Sequence, residues 1–307
     1  MKRAVIILGM LAVATLVAAQ QPAPAQQKPT GAAAGATPQA AATPTPPQGK
    51  RPPQAKTQPE FDAYNAAVAN QKDPVAMEKA ADDFAAKFPD SELRVLLYKQ
   101  AVRSYQNANN GDKMSEEAQK LLKLDPDDPE ALIAVSEVIA ERTRDTDLDK
   151  DQRYAQATKY AQHALETIDT DVAIPASTPQ SQIDAYKGLL RSSAYSILGT
   201  IAYGQEKYPD AEGYFRKSID AYPSQPDPVV VLRLALALDK QSRYADALKE
   251  ANHAVELTQE GTAAGTTARH ERDRLIQLTG GIPMSGSTAP ASKPPDSTTP
   301  NPAPPAH

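Results

Sequence analysis

Few clusters in this chain have the residue types and spacing that chemistry needs. The strongest is Asp145-Thr-Asp-Leu-Asp149, a D-x-D-x-D run that opens like a calcium loop. Such a loop wants glycine where Lys150 stands and a bidentate glutamate where Gln156 stands. Without that turn and that carboxylate the run reads as a solvated acidic loop, with Asp149 and Asp151 placed to cap the next helix. The four histidines, His163, His253, His270 and His307, form no H-E-x-x-H pair. His163 and His253 sit among alanines at helical spacing and read as helix residues, not ligands. The chain has no cysteine, which excludes disulfides, thiolate metal sites and cysteine nucleophiles. Glycine-rich phosphate loops and the G-x-S-x-G elbow are missing as well. The reading is therefore a non-enzyme with no catalytic residue, no metal and no cofactor.

Charge and composition narrow the partners. Thirty-three basic residues against 38 acidic ones give a net charge of −5. No basic stripe stands out, so nucleic acid is not the expected partner. Hydrophobic residues make up 40% of the chain, but only 5% are aromatic and none is Trp. Alanine supplies much of that apolar share, which suits close helix packing. The 28 prolines gather at the two ends, where no core can form.

The elements between those ends repeat. Tyr195 to Pro223 reads as a helix, a tight turn and a second helix. Tyr195, Leu198 and Gly199 follow the spacing W-x2-L-G with Tyr in the Trp place; Ala211 and Phe215 follow A-x3-F; Pro223 closes the unit. Gly199 and Ala211 are expected to face each other where the helices cross. A later copy has Val231, Leu234, Ala235 and Leu238, then Tyr244, Ala247, Ala251 and Ala254. Weaker copies precede them. Met77 and Met114 are 37 residues apart, as are Pro89 and Pro126. Asp73-Pro74, Asp128-Pro129 and Asp227-Pro228 are helix starts, a capping carboxylate followed by proline in the first turn. Leu132, Val135, Ser136 and Ile139, then Tyr154, Ala157, Ala161 and Ala164, give the third copy on either side of the acidic run. Ile183, Tyr186, Leu189 and Leu190 extend the fourth copy's first helix back toward Ser181.

These spacings, from Pro59 to Gln259, resemble the tetratricopeptide repeat (TPR), with the fourth and fifth copies carrying the specific match. The resemblance implies an all-α, right-handed superhelix of about five helical hairpins. A capping helix over 263–279 would close it. Expected units are 59–90, 91–128, 129–170, 181–225 and 228–261. The resemblance also implies that the first helices line a concave groove that binds a peptide or a partner protein. Carried onto this chain, that geometry points Lys99 and Arg103 into the groove from the second unit and Glu137 and Glu141 from the third. Tyr203 follows from the fourth, and Leu232 and Leu236 from the fifth. Lys99 with Arg103 partly resembles the basic clamp that some TPR domains place on a C-terminal carboxylate. Leu232 and Leu236 have a second reading, as core beneath the capping helix.

The ends carry the expected location. Lys2 and Arg3 precede an uncharged run, Ala4 to Ala18, and small residues follow it; residues 1–19 read as a secretory signal peptide. Cleavage would make the protein periplasmic or secreted. An uncleaved run, residues 4–19, would anchor it in the inner membrane. Residues 20–58 are rich in Pro, Ala and Gln and read as a disordered linker, and residues 281–307 as a disordered Pro/Ser/Thr-rich tail. Together these suggest a protein-interaction scaffold of the bacterial cell envelope. The competing reading is a self-assembling structural protein of the same compartment.

Overall fold

The computed structural model describes residues 49–280. The expected signal peptide, most of the expected linker and the expected C-terminal tail lie outside the described residues.

Eleven helices follow one another among the described residues. They are α1 Gln58–Val68, α2 Pro74–Lys87, α3 Leu93–Asn107, α4 Gly111–Leu124, α5 Pro129–Arg142, α6 Lys150–Thr167, α7 Gln180–Gly204, α8 Tyr208–Ala221, α9 Pro228–Lys240, α10 Tyr244–Glu256 and α11 Ala263–Leu278. None is long and apolar enough to cross a membrane. The described residues are all-α, as the repeat spacing predicts, and the three Asp-Pro starts open α2, α5 and α9. Asp73 accepts from the backbone N–H groups of Val75 and Ala76, Asp128 from Ala131, and Asp227 from Val229. Each cap satisfies donors that the first turn leaves without helical partners. Helix α7 runs for 25 residues because its apolar stripe starts at Ile183.

Successive helices pair as hairpins: α1 with α2, α3 with α4, α5 with α6, α7 with α8, and α9 with α10. Three of the tight turns share one backbone form. Asn109, Glu206 and Ser242 each adopt positive φ, at 53°, 61° and 60°. The following amide reaches back five residues, from Asn110 to Tyr105 O, Lys207 to Ala202 O and Arg243 to Leu238 O. That is the Schellman closure of a helix end.

Small residues set how closely the hairpins pack. A Cβ on Gly199 would lie 2.6 Å from the Phe215 ring, and Phe215 is fully buried. The glycine thus makes room for the aromatic of the A-x3-F spacing, one turn beyond Ala211. Ala211, Ala247, Ala251 and Ala254 are likewise fully buried. The core continues from unit to unit through overlapping clusters.

First helices also touch across units. Helix α3 packs on α1, α5 on α3, α7 on α5 and α9 on α7, whereas successive second helices make no comparable approach. The layer that closes up is the inner one, so the first helices line the tighter face and the second helices splay outside. Helix α11 packs chiefly on α10 and also on α9. Its Arg274 reaches Asp239 at 2.7 Å and Glu271 at 2.7 Å.

Residues 49–57 differ from the linker expectation. They lie against the folded units, with Ala55 buried and Thr57 capping α1.

Candidate functional site

The inner face holds its charges in one network. Lys99 and Arg103 stand one turn apart on α3, and Asp128 and Glu130 sit at the start of α5, where the helix dipole favours carboxylates. Lys99 Nζ lies 2.5 Å from Asp128 Oδ2 and 3.2 Å from Glu130 Oε1. Arg103 donates to Glu130 Oε2 through Nη2 at 2.6 Å and Nε at 3.0 Å. The Tyr186 hydroxyl, from the early part of α7, donates to Glu130 Oε1 at 2.5 Å. Three units thus meet at one carboxylate whose side chain is only 17% exposed.

Electrostatics holds Glu130, Lys99 and Arg103 in their charged forms. Burial alone would raise the Glu130 carboxyl, but Arg103 and Lys99 outweigh it and hold Glu130 well below the usual carboxylate range. Burial would lower the Lys99 ammonium, yet Glu130 and Asp128 keep it above the ordinary lysine value. Burial, with Glu130 beside it, pushes the Tyr186 phenol far up, so it stays a neutral donor. Asp128 moves the other way from Glu130, raised by burial against the pull of Lys99. Chemically, the network locks α3, α5 and α7 together through largely buried, mutually paired charges.

The other expected groove residues are spread along the same stack. Glu137 is half-buried and Glu141 exposed on α5. Tyr203, near the end of α7, is half-buried, and its ring meets Tyr208 edge-on at 5.4 Å. Thr200, one turn before it, accepts from Arg233 of α9 at 2.7 Å. Leu232 takes the second of its two readings and not the groove one: it is buried with Val231, Ala254 and Ala268, where α11 closes the stack. Leu236 packs at the margin of that cluster. Lys99 and Arg103 are corrected as an open clamp, because Asp128 and Glu130 already engage them. Sequence reasoning misses those acids and Tyr186 as site residues. The Asp-Pro-Glu start shows the acids only as capping, and their partners lie about 30 residues away in the preceding unit.

The sequence's other chemical candidates serve local structure. Asp145 pairs with Lys150 at 2.8 Å. Asp147 accepts from the Arg144 amide at 2.9 Å and lies 3.5 Å from Arg153. Asp149 precedes α6 without a side-chain capping bond. His163 Nε2 lies 2.8 Å from Asp127. Among the described residues no group of three or more His, Asp or Glu side chains is arranged to hold a metal ion. A second charged cluster joins α2, α3 and α4. Glu117 is fully buried there, with Lys120 Nζ at 2.8 Å from Oε1, and burial raises its pKa.

No family model matches the chain, and no curated protein matches it. Solved structures do overlap it. A thermophilic TPR protein of Thermus thermophilus is 12% identical with a TM-score of 0.44, over 71% of this chain and 100% of its own. The Pseudomonas aeruginosa pilF structure is 17% identical with a TM-score of 0.47, over 73% and 96%. The Cut9–Hcn1 structure of the APC/C is 12% identical with a TM-score of 0.31, over 70% and 46%. At these values the overlaps add nothing to what the hairpins themselves show. The recurring Schellman turns, the Gly199–Phe215 crossing and the inner layer of first helices make the described residues an all-α stack of helical hairpins, the arrangement that the TPR-like spacing predicts.

Proposed function

We propose that this protein is a non-catalytic scaffold that binds a peptide or partner protein on the inner face of its hairpin stack. The observation that carries the reading is the Lys99–Asp128–Glu130–Arg103–Tyr186 network. It fixes the relative placement of three first helices before any partner arrives. A surface already held in place loses less entropy on binding. Tyr203 is half-buried on this face and Arg103 keeps an exposed edge there. The basic residues 2 and 3 and the uncharged run after them support export, so the partner belongs to the bacterial cell envelope.

The test is a pull-down from envelope extract with the full chain. Glu141→Lys with Tyr203→Ala alters the inner face; Lys217→Glu with Lys249→Glu alters exposed positions on the second helices α8 and α10. A partner depleted at least tenfold by the first variant and retained by the second is the expected result. Retention by the first and loss by the second would move the site to the outer face. A parent that captures only its own copies, with a mass rising with concentration, would replace the reading with self-assembly.

A further inference from the structure

Residues 49–56, Gly-Lys-Arg-Pro-Pro-Gln-Ala-Lys, form a strap across the corners of three units. Each contact resembles one that a bound peptide would make. Lys50 pairs with Ala173 in an isolated parallel bridge. Its Nζ lies 2.6 Å from Asp125 and 3.8 Å from Asp171. Arg51 Nη2 reaches both oxygens of Glu92, at 2.7 and 2.8 Å. The Gln54 amide donates to the same carboxylate at 3.2 Å, and Lys56 Nζ to Asp90 O at 2.7 Å. Between them Pro52-Pro53 keeps the chain extended without help from the units, which lowers the cost of docking.

The strap does not fill its dock. A cleft of about 420 Å³ remains, with Pro53, Val95, Leu96 and Leu124 as apolar walls and Lys99 and Asp128 among its lining. The strap is also lightly held. The Lys50 and Arg51 side chains are 42% and 59% exposed, and exposed ion pairs contribute little.

We propose that this dock is a peptide site whose partner is an extended segment with a Lys-Arg pair followed by prolines, and that residues 49–56 occupy it in cis until such a segment displaces them. Glu92, Asp125 and Asp171 select the two cations, the backbone at Ala173 offers strand-like pairing, and the cleft walls receive the apolar residues. Charge complementarity favours this occupant over an acidic or purely apolar one. The site is distinct from Glu141 and Tyr203, and the proposal stands without the inner-face reading.

The probe is a labelled synthetic peptide of residues 49–56, titrated by anisotropy with full-chain protein. Lys50→Glu with Arg51→Glu repels the strap from its acids. Circular dichroism and thermal melting establish that the chain remains folded; if it does not, Lys50→Gln with Arg51→Gln takes its place. The released chain should bind the peptide at least tenfold more tightly than the parent. Adding Glu92→Gln, Asp125→Asn and Asp171→Asn to it should weaken binding at least tenfold. Glu141→Lys with Tyr203→Ala should leave peptide affinity unchanged. Equal binding by parent and released chains, no binding by the released chain, or indifference to the three acids would overturn the proposal. A dimer of the parent that the strap substitutions dissolve would show exchange of the strap between copies, and would overturn it too.

Discussion

At the residue scale, two positions test why particular side chains, or their absence, are required. A Cβ at Gly199 would sit 2.6 Å from two atoms of the Phe215 ring. Phe215 is fully buried and cannot swing aside. Gly199→Ala should therefore destabilise the protein by about 1–3 kcal/mol despite the better helix propensity of alanine, as overpacked cores do. Urea unfolding measures this; an unchanged or raised midpoint would contradict the crossing described above. Glu206 shows the opposite case. It holds φ at 61°, a conformation that costs a non-glycine residue roughly 1 kcal/mol. Glu206→Gly should raise stability by about 0.5 kcal/mol, the relief partly offset by the freer unfolded chain. A lower thermal midpoint would show that the Glu206 side chain stabilises the turn in some other way. The first site was legible in part: spacing singled out Gly199 and Phe215 by type, but paired the glycine with Ala211 and not with the ring it meets. The second was not. Asn, Glu and Ser occupy equivalent left-handed turns in three hairpins, so residue type alone conceals the repeat.

At the element scale, Glu130 is the joint. Its carboxylate takes two cations from α3 and a hydroxyl from α7. Removing one partner of a buried pair leaves the others desolvated, so Glu130→Gln should cost about 3 kcal/mol at neutral pH. The sign with pH follows from its lowered pKa. Glu130 contributes fully above the ordinary glutamate value of 4.5. That contribution is lost as pH falls through the lower folded value. The gap between parent and variant should hold from pH 7 down to 4.5 and then narrow in acid; a gap that widened there would contradict the assigned ionisation. The helix starts that build this joint were plain in the sequence, since aspartate followed by proline is a local signal. The joint itself was not. Lys99 and Arg103 are close neighbours on one helix, and only the stacking of units brings Glu130 to them.

At the scale of the whole molecule, repetition made the fold readable while the site stayed hidden. Alanine and glycine spacing constrains how hairpins stack, and the same spacing recurs even in degenerate copies. Composition failed at the strap, because Pro-Gln-rich sequence reads as linker unless its cations have acids to meet. Glu92, Asp125 and Asp171 come from three separate loops, so no stretch of sequence displays them together. The proposed partner face is the inner one. First helices close on the inner side, where α3, α5 and α7 are cross-linked by charge, and this side is the one assigned to the partner. Site-specific photo-crosslinking tests that claim most directly. A photoreactive phenylalanine at Glu141 on α5, and another at Lys249 on α10, would be irradiated in envelope extract in the full chain. The account predicts one discrete adduct from position 141 and none of that mass from position 249. An adduct from position 249 alone would contradict it.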